Sequence, residues 1–160
     1  MEPGTFAPIH MTWFDVALRL GAALLLSLGL GLERFVRRKP VDFRPFVIIA
    51  LASSALVMAI VEFAARSDDA GLSIDPAKVM SGILTGIGFL GAGALFREKQ
   101  IVHGAGSAAA IWAGGAIGII CGFGFIWLAA VLAIGVIGTL VLSRPFTRSY
   151  AAKADREDDD

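Results

Sequence analysis

The stretch "GILTGIGFLGAGALF", Gly82 to Phe96, decides how this chain folds. It is apolar enough to be a buried helix, yet Gly82, Gly86, Gly88, Gly91 and Gly93 would each weaken a helix in water. It also contains Gly86-x-Gly88-x-x-Gly91, which matches the dinucleotide-binding fingerprint in form. That fingerprint requires a strand before it, a helix opening within it and an acid about 20 residues on to hold a ribose hydroxyl. The position at that distance from Gly91 is Ile111, and no acidic residue occurs between Glu98 and Asp155. The phosphate-loop reading fails on context, and the segment reads as a membrane helix.

Composition supports lipid as the solvent. Of 160 residues, 56% are hydrophobic and 18% charged, with a mean hydropathy of +0.74. A soluble domain is nearer 45–50% apolar and roughly 25% charged. The formal net charge is zero, so no basic field argues for a nucleic-acid partner. Cys121 is the single cysteine and cannot form an intrachain disulfide. The opening "MEPGTFAPIHMTWFDVALRLG" lacks a cationic leader and a small-residue cleavage site, so the first apolar run is expected to be retained.

A bilayer core takes about 20 apolar helical residues to cross. The chain offers five such stretches, at about residues 14–33, 46–63, 77–96, 104–122 and 125–143. The third opens on Asp75-Pro76, a capping carboxylate followed by a proline suited to the first helical position. No charge occurs from Gly104 to Ser143, a run right for two spans with "CGFGF" as the tight turn between them. The predicted fold is therefore all-α: a polytopic membrane helix bundle over residues 1–145, with a polar tail over 146–160.

Basic residues choose the direction. The first loop holds Arg34, Arg37, Arg38, Lys39 and Arg44; the third holds Arg97 and Lys99, and the tail holds Arg144, Arg148, Lys153 and Arg156. The second loop has only Arg66 and Lys78, beside three aspartates. By the positive-inside rule the N-terminus is expected outside and the C-terminus in the cytoplasm. Trp13 and Trp127 both fall at the outer boundary, where amphipathic rings settle.

In a bilayer, helices associate by close packing, and small residues four apart let backbones approach. Gly106, Ala110, Gly114, Gly118 and Gly122 follow that spacing in the fourth span. In the third, Gly82 and Gly86 lie on one side and Ser81, Thr85, Gly88 and Ala92 on another. Spans three and four are thus expected to be the tightly packed centre; the competing reading makes the glycines an unwound segment lining a pathway.

Ionisable residues inside spans mark candidate sites, each costing about 2.5–3.5 kcal/mol at a helix centre. Asp15, Arg19 and Glu33 share a face of the first span, and Asp15 and Arg19 are in reach of each other as an ion pair. Arg19 either snorkels to the outer interface or serves an inward role. Glu33 and Arg34 end this span, where Arg37, Arg38 or Arg44 would neutralise the carboxylate. Glu62 reads as a solvated boundary residue. Trp112, near the middle of span four, is either packed against span one or three or part of a polar lining. His10 and His103 lack metal-ligand spacing, and no nucleophile–base set, zinc motif or Walker loop is present, so no metal, cofactor or enzymatic chemistry is expected.

These residues resemble the MgtC/SapB family of bacterial membrane proteins. Gly31-Leu32-Glu33-Arg34 is similar to the family's G-L-E-R, and Arg44 stands at the place of its G-L-R-T. "TGIGFLGAG", Thr85 to Gly93, is similar to its S-G-I-G-F-L-G-A-G, and "GAGSAAAIW", Gly104 to Trp112, to its G-L-T-T-A-A-x-I-W. Asp42 and Pro45 stand where the family has Gly and Thr, and Gly106-Ser107 replaces Thr-Thr. The cytoplasmic domain of longer members has no counterpart, so the chain is expected to be a short form. The resemblance implies an inner-membrane protein of magnesium homeostasis and stress adaptation, associated in pathogens with virulence, acting on other membrane proteins such as the ATP synthase.

Together these readings predict a non-enzymatic multi-pass protein, a homodimer or other homo-oligomer, with a membrane-protein partner. The competing function is transport of a small solute or ion, magnesium or protons, along a path lined by Asp15, Arg19, Glu33 and Arg34. Arg44 and Trp112 complete the candidate polar cluster.

Overall fold

A computed structural model describes residues 7–37, 42–66, 75–98 and 101–143. Five helices form the bundle: α1 (Trp13–Val36), α2 (Arg44–Arg66), α3 (Pro76–Gly93), α4 (Ala105–Gly122) and α5 (Ile126–Leu142). Two short strands, β1 (Phe96–Glu98) and β2 (Ile101–His103), pair antiparallel between α3 and α4, with Phe96 opposite His103 and Glu98 opposite Ile101.

Local chemistry sets the helix ends. Thr12 caps α1 through a capping box: its hydroxyl accepts from the Asp15 N–H, and the Asp15 carboxylate accepts from the Thr12 N–H at 2.9 Å. The Asp75 carboxylate accepts from Ala77 N–H at 2.9 Å and Pro76 opens α3, as the sequence predicts. The "CGFGF" turn is a Schellman motif. Gly124 (φ +89°) donates to the Cys121 carbonyl at 2.8 Å and Phe125 to the Ile120 carbonyl at 3.1 Å.

The third expected span ran to Phe96, and here the structure corrects it. The helix stops at Gly93; Ala94 and Leu95 donate three residues back, to Gly91 and Ala92, in a tightened last turn. The chain then enters the hairpin, which no apolar periodicity announced. It returns through Gly104 (φ +87°), where any Cβ would overlap the Ala94 carbonyl oxygen. Glycine is required there on both counts.

Among the described residues, three helices are long and apolar enough to cross a membrane: α1, α2 and α4. α5 is apolar over 17 residues, at the lower limit of spanning length. α3, which opens on Pro76-Ala77-Lys78 and carries five glycines, is not among those three. Large apolar side chains point outward around the bundle, among them Phe14, Leu25, Ile48, Leu56, Val131 and Ile134. Such a surface requires a bilayer to cover it, and the chain is a multi-pass membrane protein.

α4 is the hub, packed against each of the other four helices. Its densest seam is with α2. A Cβ at Gly114 would meet Phe46 at 3.7 Å, one at Gly118 would overlap the Ala50 carbonyl, and one at Gly122 would meet Val57 at 2.7 Å and the Ser54 carbonyl at 2.8 Å. Phe46, Ala50, Ser54 and Val57 recur every three or four residues, so one face of α2 lies along the glycine groove of α4. Ala110 is buried in the same core, with Ala23, Leu30, Ile117, Ala129 and Ala133.

α3 packs on α4 as expected, but the tightest seam of α4 is with α2, which the expected centre of spans three and four did not include. Gly91 packs on the Ala108 carbonyl of α4, where a Cβ would sit 3.4 Å away, and Ile87 is buried. Among the described residues, Gly82, Gly86, Gly88 and Gly93 face open space, with nothing within 4 Å of a notional Cβ. The face of α4 that carries Gly114, Gly118 and Gly122 takes α2, whose small residues the apolar pattern alone did not single out.

Candidate functional site

α1 and α4 run antiparallel, tied at both ends by arginines of α1. Arg19 Nη1 donates to the Gly122 carbonyl at 2.8 Å, and Arg34 Nη2 donates to the Ser107 hydroxyl at 3.0 Å. The C-terminal carbonyls of α4 carry the negative end of its dipole, so Arg19 is favourably placed. Arg19 is half-buried, with its guanidinium at the turn between α4 and α5. Its guanidinium also lies where a Cβ on Gly124 would come within 3.1 Å. Asp15 turns back to Thr12, its Oδ2 accepting the Thr12 hydroxyl at 2.7 Å. The shared face of Asp15 and Arg19 thus serves two separate helix ends.

Arg34 is the more demanding residue. It is only 6% exposed and lies against the first turn of α4. A cation there opposes the positive end of the helix dipole. Glu33 offsets part of that cost: its carboxylate lies 3.9 Å from Arg34 Nη1 and ion-pairs with Arg37 one turn on. Gly106 gives the guanidinium its place, since a Cβ would stand 3.3 Å from Nη2. The Gly106-Ser107 pair, in the sequence a departure from Thr-Thr, supplies space and one acceptor.

The other predicted site residues lie apart from this cluster. Arg44 pairs with Asp42 at the exposed start of α2. Arg44's side chain and N–H donate to the Asp42 carboxylate. Partial burial of Asp42 raises its carboxyl pKa, but the hydrogen bonds from Arg44 and from Phe43 N–H outweigh it and hold the group below the usual carboxylate range. Trp112 is 47% exposed on α4, so its ring contributes to the outer surface more than to a packed interior.

Sequence reasoning missed two groups. Ser107 is fully buried and is Arg34's acceptor. Glu62 is more than a solvated boundary residue: its carboxylate accepts from three successive N–H groups, Ile9 at 2.9 Å, His10 at 3.0 Å and Met11 at 2.7 Å. Arg66 strengthens this clasp by donating to the Ala7 carbonyl at 3.1 Å. The i,i+4 pairing of Glu62 and Arg66 was visible in the sequence, but nothing there linked it to residues 7–11.

Comparison with known proteins adds to this geometry. Residues 20–149 match the profile of the MgtC family. The chain is 32% identical over 154 residues to an uncharacterized protein of Haemophilus influenzae, an alignment covering 94% of this chain and 63% of the relative. It is 34% identical over 137 residues to Protein MgtC of Brucella abortus, covering 86% of this chain and 55% of that one. Protein SapB of Bacillus subtilis is 30% identical over 120 residues, 72% of this chain and 52% of its own. The chain thus spans about half to two thirds of the length of these curated relatives. No solved structure matches it.

Proposed function

The chain belongs to the MgtC family, and from that premise we propose that it is a non-enzymatic protein of the bacterial inner membrane. In this reading it acts on other membrane proteins in magnesium and ion homeostasis and in stress adaptation. The N-terminus lies outside and the C-terminus in the cytoplasm, so the Arg34 cluster sits at the cytoplasmic surface.

One observation carries the reading: the unused glycine face of α3. At 100° per residue, Gly82, Gly86, Phe89 and Gly93 fall within about 60° of one another. Phe89 is 81% exposed, and among the described residues nothing lies within 4 Å of a notional Cβ on any of the three glycines. Within a bilayer such a face gains little by meeting lipid and much by meeting another helix backbone. A second copy of this chain suits it, through a two-fold interface, as does a helix of a larger partner.

Capture from native membranes tests this. Gly86→Leu fills the face without touching the bundle, so it is expected to keep the melting profile and lose the co-purifying chain. Retention of every partner by the folded variant overturns the reading. Gly114 and Gly118 do not serve as probes, because leucine at either would separate α2 from α4.

A second reading, ion or small-solute transport, draws on Glu33, whose side chain is 7% exposed inside α1. Magnesium or proton flux in proteoliposomes, abolished by Glu33→Gln, would favour it over action on a partner.

A further inference from the structure

We propose that the junction of α1 with the start of α4 binds a phosphate-class anion, the headgroup phosphate of an anionic lipid. The inference rests on the reading of the Glu33–Arg34 cluster as a functional part of a membrane-embedded bundle. It begins from an imbalance of charge and of hydrogen bonds.

Two guanidinium groups, Arg34 and Arg37, share the Glu33 carboxylate. To this the first turn of α4 adds the partial positive charge of a helix N-terminus. Its N-cap is Gly104, which has no side chain with which to satisfy the free N–H groups. Ser107 and Ala108 N–H donate to the Gly104 carbonyl; Ala105 and Gly106 N–H have no acceptor among the described residues.

The second observation is independent of the helix end. Arg34 is more than nine-tenths buried, and its Nε–H has no acceptor among the described residues. Its head lies against Gly106, on the same turn as the two free backbone donors. A buried guanidinium donor left without an acceptor is costly, and here it stands beside further donors and surplus positive charge. An oxyanion with several acceptor oxygens supplies what the junction lacks.

Position selects the kind of anion. Glu33 to Arg37 form the last turn of α1, and Arg34 meets α4 at its first turn. Where these two membrane-spanning helices end together, the bilayer presents headgroup phosphates. Ala105 is exposed and Gly106 half-exposed, so the donors open outward while the Arg34 head lies behind them.

Native mass spectrometry of the full chain in detergent tests the proposal, with phosphatidylglycerol, phosphatidylcholine, glycerol 3-phosphate and inorganic phosphate as probes. Phosphatidylglycerol should be retained over phosphatidylcholine. Gly106→Asp places a carboxylate in the anion's position, at a helix start that tolerates aspartate. It should weaken retention roughly tenfold or more, the scale of one charge-assisted contact. Gly106→Ala, with bulk but no charge, should retain the lipid, and Arg37→Gln should weaken it. None of these variants removes Arg34 or Ser107, and their melting profiles report the fold.

If millimolar glycerol 3-phosphate or inorganic phosphate displaces the lipid, the site takes soluble phosphate; if neither does, the lipid is the source. Equal retention of both lipids with no phosphate binding overturns the proposal, as does a folded Gly106→Asp that binds like the parent chain. The readout is a bound anion, not a captured partner. Failure here leaves the α3 reading standing, and failure of that reading leaves this one.

Discussion

Arg34 of α1 donates to the Ser107 hydroxyl of α4, and the same two helices meet again fifteen residues away, where Arg19 donates to the Gly122 carbonyl. Equal separations on both helices make α1 a ruler for α4. A slip of one turn, about 5.4 Å, would break both contacts at once. Register between these helices is therefore set by two polar ties, while the α2–α4 seam is set by glycine.

The Arg19 tie has a measurable worth. Arg19→Met keeps much of the apolar stem and removes the cap on α4. A hydrogen bond from a charged donor contributes about 1.5–3 kcal/mol, so the melting temperature in detergent should fall by several degrees. An unchanged melt would show that the cap contributes nothing.

The two glycine sets should respond oppositely to the same substitution. Gly118→Ala forces a methyl into the Ala50 backbone and should destabilise the bundle by about 1–3 kcal/mol. Gly86→Ala meets open space and should be neutral or stabilising by up to about 1 kcal/mol. Thermal or denaturant unfolding of the two variants side by side checks the contrast.

Glu62 should hold the segment before α1 against the end of α2. In Glu62→Gln, three charge-assisted bonds become at most neutral ones. Hydrogen exchange at Ile9, His10 and Met11 should accelerate by roughly tenfold or more, with α4 unaffected. Unaltered exchange at these amides would show that the clasp does not order the segment.

The Asp42–Arg44 pair predicts a modest pH response outside the spans. The Asp42 carboxyl is held low in the folded chain, so its contribution is present above the ordinary carboxylate value and is lost as pH falls through the lowered one. Its partner Arg44 is exposed, so the effect on stability is small. Arg44→Gln should move the Asp42 titration upward, read by carboxyl NMR.

The helices were legible because lipid leaves little choice: long apolar runs must satisfy their backbones internally. Asp75-Pro76 and "CGFGF" gave two of their boundaries, since capping and turn chemistry act over a few residues; the Thr12–Asp15 capping box emerged only in the structure. The hairpin at 96–103 was hidden, because three-residue strands carry too little periodicity. The small-residue spacing of α4 marked a packed face but not its partner, a choice made by tertiary fit. The cluster at Glu33 and Arg34 was visible as charge inside a span; its acceptor, Ser107, lies 73 residues from Arg34 and carried no charge to announce it.

The central claim is that the glycines of α4 serve this chain, while Gly82, Gly86 and Gly93 of α3 serve another. Disulfide crosslinking in native membranes tests it most directly, with single cysteines at positions 82, 86 and 93 in a Cys121→Ser background and a control cysteine at Ile134 on the outer face of α5. The account predicts inter-chain adducts at the three α3 positions and none at the control. Adducts absent from α3, or formed equally at Ile134, would contradict it.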